Sequence, residues 1–203
     1  EGEVTGYTAA YDGFNITNTH APEKTEVPVT KVWNDNDDQD GLRPDEITVI
    51  LLADGVPTGE TLVLTVENDW TGSFTELDKY ADGLEIEYTI AEVSVEGYQT
   101  LISGDMLTGY VITNSHTPET TSVSGTKTWN DNNDQDGKRP ESITVRLYAN
   151  GVEVASMSVT EEMGWTYKFA NLTKYANGVE IVYTITEDAV EGYTTVINGF
   201  DIT

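Results

Sequence analysis

The chain has 203 residues, enough for one large domain or two of about 100 residues each. Its 36 acidic and 10 basic side chains give a formal charge of −26, which argues against nucleic acid or an anionic membrane surface as a partner. There is no cysteine to form a disulfide or a thiolate metal site, and no stretch long and apolar enough to cross a bilayer.

In chain order, residues 1 to 17, EGEVTGYTAAYDGFNIT, align with residues 187 to 203, EDAVEGYTTVINGFDIT. The segment 1–23 is therefore expected to be the last-strand region of a preceding repeat plus a linker. The first residues lack the basic-then-apolar pattern of a signal peptide, so an export or anchoring signal is expected outside this stretch. Phe14, Ile16 and Asn18 share one strand parity, which turns the asparagine toward an apolar face. A proline- and threonine-containing stretch, APEKTEVP, then reads as a short, fairly stiff connector.

The run VPVTKVWND places Val27, Val29, Lys31 and Trp33 on one side of a strand. An isolated buried ammonium is costly unless it is paired or gives up its proton. The plainer alternative is a lysine whose stem lies along the sheet with its head in water. Next comes WNDNDDQDG, in which Asn36, Asp38, Asp40 and Gly41 resemble the first half of a Ca²⁺ loop. The position where such a loop carries its bidentate glutamate is Ile47, so a weak Ca²⁺ site stands against a solvated turn with Asx hydrogen bonds. Arg43 is expected to pair with these acids.

Short alternating runs rich in Val, Ile, Thr and Tyr follow, with Asp54-Gly55 and Asp82-Gly83 as hairpin signals. In EIEYTIAE, Ile86, Tyr88, Ile90 and Glu92 share one parity, so Glu92 falls on the apolar face and Glu87 on the opposite one. Tyr110, Ile112 and Asn114 are in phase in the strand that closes the repeat, which runs over residues 24–118.

The second copy occupies residues 119–203. KTWNDNNDQDGKRPESITV realigns on KVWNDNDDQDGLRPDEITV with 14 identities in 19 positions, so this is an internal repeat. Val123, Gly125, Lys127 and Trp129 repeat the first strand, and Asn132, Asp134, Asp136 and Gly137 repeat the acidic loop. Asn150-Gly151 and Asn177-Gly178 repeat the turns, and Ile181, Tyr183, Ile185 and Glu187 repeat the acid strand. Thr203 stands just before the position that aligns with Asn114. The second repeat is read as lacking its final asparagine, with truncation preferred over completion by another copy.

A lysine, a carboxyl group and an asparagine held in a dry core form a chemical set. Burial disfavours charged forms, leaving a nucleophilic amine and a carboxyl able to polarise the amide. Attack of the amine on the amide carbon with loss of ammonia would join the two side chains, helped by effective molarities of ~10⁵ M or more. A buried Lys-Glu ion pair with an asparagine hydrogen bond is the alternative that parity leaves open.

The TKVW and TKTW strands, the WNDN(D/N)DQDG loops, the YTIAE and YTITE strands, the EGY turns and the closing ITN resemble Cna B-type domains, the stalk repeats of Gram-positive surface adhesins and pilins. The resemblance implies an all-β chain of tandem Ig-like, reverse-Ig β-sandwich domains. It also implies a Lys31–Asn114 isopeptide bond assisted by Glu92. Lys127 and Glu187 match the same motif, and Asn18 matches the bond-forming asparagine of a preceding domain.

The function expected on this basis is a structural stalk or spacer in an extracellular, cell-wall-anchored surface protein of a Gram-positive bacterium. Its partners are neighbouring repeats of the same protein, and a host extracellular-matrix ligand would be engaged through another region. Neither nucleic acid nor membrane is expected to touch this segment. Besides the weak Ca²⁺ reading, no cofactor is expected, and His20 and His116 lie in linker context without a Ser/His/Asp set around them, so no turnover enzyme is expected. Two alternatives stand beside the stalk: a binding module for a host matrix protein or glycan, and a head-to-tail polymer-forming unit completed by strand donation from a neighbouring copy.

Overall fold

Most of the alternating apolar-polar runs form strands in the computed structural model, which describes residues 1–203. By its internal contacts the chain divides into two units, residues 1–34 with 43–116 and residues 35–42 with 117–203.

In the first unit the strands are β1 (Thr8–Asp12), β2 (Asn15–Thr19), β3 (Lys24–Asn34), β4 (Glu46–Ala53), β5 (Val56–Thr65), β6 (Thr71–Asp78), β7 (Tyr80–Ala81), β8 (Leu84–Glu85), β9 (Tyr88–Glu92), β10 (Gln99–Asp105) and β11 (Gly109–Ser115). One sheet has the order β10-β11-β3-β6 and the other the order β5-β4-β9. Val27 and Val29 of β3, Phe74 of β6 and Ile112 of β11 share one core with Val49 and Leu51 of β4, Leu64 of β5 and Ile90 of β9. Full burial of a side chain such as Leu51 is worth about 1.5–3 kcal/mol, so this interior is the main source of stability.

The connectivity brings the two ends of the repeat together. Strands β3 and β11 lie side by side and parallel, with Ile112 opposite Lys31 and Asn114 opposite Trp33. Inward residues on β11 are Ile112 and Asn114, so Lys31 and Asn114 are diagonal neighbours on the inner face. Strand β9 belongs to the other sheet and presents Glu92 across the core.

In the second unit the strands are β12 (Thr120–Thr126), β13 (Ser142–Ala149), β14 (Val152–Thr160), β15 (Thr166–Thr173), β16 (Tyr175–Ala176), β17 (Val179–Glu180), β18 (Tyr183–Glu187), β19 (Ile197–Asn198) and β20 (Asp201–Ile202). β12 pairs with β15, β13 lies between β14 and β18, and Lys127 bridges in parallel to Ile202. Val123, Val145, Leu147, Val159, Phe169, Ile185 and Ile202 form its core. In all four expected hairpin turns both central residues have positive φ, from 48° at Asp54 and Asn150 to 84° at Gly151, as the Asp-Gly and Asn-Gly pairs require.

One expectation fails. Phe14 and Ile16, read as inward, are exposed, because β1 and β2 pair only with each other and no second layer covers either face.

Candidate functional site

Lys31 is buried because β3 runs through the middle of its sheet and the side chain follows Val27 and Val29 into the core. Its backbone N–H donates to the Trp70 carbonyl at 2.8 Å. Trp70 holds that carbonyl in place from a left-handed conformation, φ 56°, which is unusual for so bulky a residue. The Trp33 ring lies 4.3 Å from Lys31 Nζ and is itself packed edge-on by Trp70 at 5.2 Å and Tyr98 at 5.0 Å. The ammonium thus meets an aromatic face on one side.

On another side Lys31 Nζ is 3.1 Å from Glu92 Oε1, with the two side chains 0% and 1% exposed. Asn114, fully buried, donates its Nδ2 to the same oxygen at 3.1 Å, and its Oδ1 has no hydrogen-bond donor. Glu92 Oε2 accepts the Thr100 hydroxyl at 2.7 Å. One carboxylate oxygen therefore gathers amine and amide, and the other is held by a threonine.

The second unit builds the same arrangement around Lys127 and Glu187. Nζ is 3.0 Å from Glu187 Oε1, with side chains 2% and 0% exposed. Trp129 lies 4.5 Å from the ammonium and is packed by Trp165 and Tyr193 at 5.2 and 4.9 Å. Lys127 N–H donates to Trp165, which repeats the left-handed conformation at φ 55°, and the Thr195 hydroxyl donates to Glu187 Oε2. Asn18 is placed apart from either lysine-acid pair of this kind: it lies exposed on the β1-β2 hairpin and donates to Glu1 Oε1 at 2.8 Å.

The acidic loops spend oxygens on hydrogen bonds within the protein, some inside the loop and some to distant segments. Asp131 accepts both Arg139 Nε and Nη2, at 3.0 and 2.7 Å, together with the Asp134 N–H and the Tyr193 hydroxyl. The Arg139 hydrogen bonds outweigh burial and hold the Asp131 carboxyl well below the usual carboxylate range. Asp134 accepts the N–H groups of Lys138 and Arg139, and Asp40 accepts that of Glu119 at 2.7 Å. Asn36 and Asn132 donate to Gln39 and Gln135 three residues on, and Asp38 N–H donates to Asp35, while Asp136 is exposed. The bonds from Asn36 to Gln39, Asn132 to Gln135, and the Asp38 and Asp134 N–H groups to Asp35 and Asp131 are those of Asx-type turns, and no three His, Cys, Asp or Glu side chains are gathered there.

The profile of the Cna protein B-type domain matches residues 27–115 and 123–203. The chain belongs to the Cna B-type domain family. It is 48% identical over its whole length to the collagen adhesin of Staphylococcus aureus, and spans 17% of that protein. It also matches the crystal structure of two B repeat units, B1B2, of the collagen binding protein of S. aureus, at 48% identity and a TM-score of 0.81, over 98% of this chain and 54% of that one. The two units are thus tandem Cna B-type domains that align with the B-repeat region of a surface adhesin.

Parity along single strands found the lysine, the acid and the asparagine. It missed Thr100 and Thr195, which sit in irregular or edge segments, and the left-handed Trp70 and Trp165. The Glu-Asn-Asp-Trp run before β6 carries turn residues, yet nothing in it marks the tryptophan itself for positive φ.

Proposed function

We propose that the chain is a load-bearing spacer of an extracellular, cell-wall-anchored Gram-positive surface protein, and that its first Cna B-type unit locks itself with an amide between Lys31 Nζ and Asn114 Cγ. The observation that carries the reading is the shared contact: Glu92 Oε1 lies 3.1 Å from both Lys31 Nζ and Asn114 Nδ2 inside the core. Glu92 takes a proton from the ammonium, the freed amine attacks Cγ, and the Cγ–Nδ2 bond breaks. Of the two protons that leave Nζ, one goes to the departing nitrogen to give ammonia and the other stays on Glu92 or leaves with the ammonia as ammonium. The reaction happens once per chain, so the unit acts as a structural element and not as a turnover enzyme.

Adjacent, parallel β3 and β11 are the strands through which a pull on the repeat enters and leaves, and a bond between them carries the tension past the rest of the fold. Intact-mass spectrometry of the folded chain tests this: one loss of about 17 Da is required, and Glu92→Ala is expected to restore the full mass. An unchanged mass in the unaltered chain would refute the crosslink.

A further inference from the structure

We propose that Thr100 is a positioning residue for the crosslinking reaction, fixing Glu92 so that a single carboxylate oxygen faces both reacting groups; the proposal rests on the Lys31–Asn114 crosslink being made. A buried glutamate beside a lysine and an asparagine can bind them in two ways. It can split its oxygens, one to each partner, or turn one oxygen to both. Only the second arrangement puts the oxygen that receives the lysine proton next to the nitrogen that must leave with one. In this structure Oε1 contacts Lys31 Nζ and Asn114 Nδ2, while Oε2 is occupied by the Thr100 hydroxyl at 2.7 Å.

The sheet explains why this residue can do so. Thr100 lies on the edge strand β10 directly opposite Asn114 of β11, so the two side chains share a face. The acid is 1% exposed, whereas Thr100 is exposed, so its hydroxyl reaches inward from the rim of the sheet and closes the solvent side of the carboxylate. The second unit supplies an independent instance. Thr195 donates to Oε2 of Glu187, the acid paired with the buried Lys127. In the leading segment Ala9 takes the place of this threonine, and its acid, Glu1, is exposed.

The step affected is the proton relay from Nζ through Oε1 to Nδ2. Loss of the Thr100 hydroxyl removes the donor that holds Oε2 and leaves the carboxylate free to turn Oε1 away from Asn114 Nδ2.

The test follows the loss of ammonia by intact mass after a short pulse of cell-free synthesis, in the full chain and in Thr100→Val and Thr100→Ser. Valine keeps the branched shape suited to an edge strand and removes the hydroxyl; serine keeps the hydroxyl and removes the methyl. Thr100→Val is expected to react about 10- to 100-fold more slowly than the unaltered chain, and Thr100→Ser to recover most of the rate. A Thr100→Val rate equal to that of the unaltered chain, or a Thr100→Ser rate as slow as that of valine, overturns the proposal and leaves the crosslink standing. If the unaltered chain itself never loses ammonia, the crosslink reading fails first and the positioning role with it. Circular dichroism of each product identifies a variant that has not folded; Thr100→Ala, which also removes the hydroxyl, then replaces valine, and Thr100→Asn, which keeps a hydrogen-bond donor, replaces serine, each under the criterion of the variant it replaces.

Discussion

Each buried lysine is held by three kinds of contact: a carboxylate, an aromatic face and a backbone anchor at a left-handed tryptophan. The carboxylate is the one that matters most for stability, since an ammonium with 0–2% exposure has no water to fall back on. Truncating one partner of a buried pair typically costs about 3–5 kcal/mol, whereas replacing both by apolar groups is close to neutral. Glu187→Ala is therefore expected to destabilise the second unit by that amount, and Lys127→Met with Glu187→Leu to return it near the original stability. Urea denaturation followed through Trp129 and Trp165 fluorescence measures both. A double variant as unstable as the single one would mean that the pair is held by more than its charge balance. Strand parity was enough to find these lysines and acids because burial acts on every second residue. It was silent on Thr100 because an exposed threonine on an edge strand looks like any other surface residue.

At the level of strands, the two units solve one packing problem in opposite ways. The first strand and the strand antiparallel to it pair Val29 with Gly72 in one unit and Gly125 with Tyr167 in the other. Large and small residues have changed sides. In the first unit, leucine methyls of Leu62 and Leu64 fill the space over Gly72, 3.0–3.1 Å from where a Cβ would stand. In the second, the Tyr167 hydroxyl donates to the Phe200 carbonyl, and that carbonyl would lie 1.8 Å from a Cβ on Gly125. Gly125→Val must push the closing segment off the sheet, and a loss of more than about 2 kcal/mol is expected. Tyr167→Gly releases the Phe200 carbonyl, so adding it to Gly125→Val should cost less than the two changes separately, with a coupling of about 1 kcal/mol or more in a double-mutant cycle. Strict additivity would show that the two positions do not sense each other. The sequence displayed Gly125 in phase with Val123 and Lys127, and the hairpin turns were legible from their Asp-Gly and Asn-Gly pairs. The exchange with Tyr167 was not, because it depends on the cross-strand register. The exposure of Phe14 and Ile16 was not legible either: parity says which residues share a face, and only a neighbouring layer says whether that face is covered.

For the molecule as a whole, the absence of cysteine and a charge of −26 leave stability to the two apolar cores and to whatever crosslink the first unit makes. An amide between Lys31 and Asn114 closes a loop of 83 residues in sequence, and the chain-entropy relation for disulfides gives about 4 kcal/mol for a closure of that size. The appropriate comparison removes the bond and leaves the ion pair, which Asn114→Ala does: Lys31 keeps Glu92, and only the amide is lost. With about 4–8 °C of melting temperature per kcal/mol for a domain near 100 residues, the first unit should melt roughly 15–30 °C lower in Asn114→Ala. Asn114→Ala changes nothing in the core of the second unit, so that unit's transition should stay where it was. Differential scanning calorimetry on the full chain resolves the two changes, with each transition assigned by the Glu187→Ala variant, which moves only the second. A drop of only a few degrees would match the loss of one buried hydrogen-bonding side chain and would remove the crosslink from the account of this protein's stability.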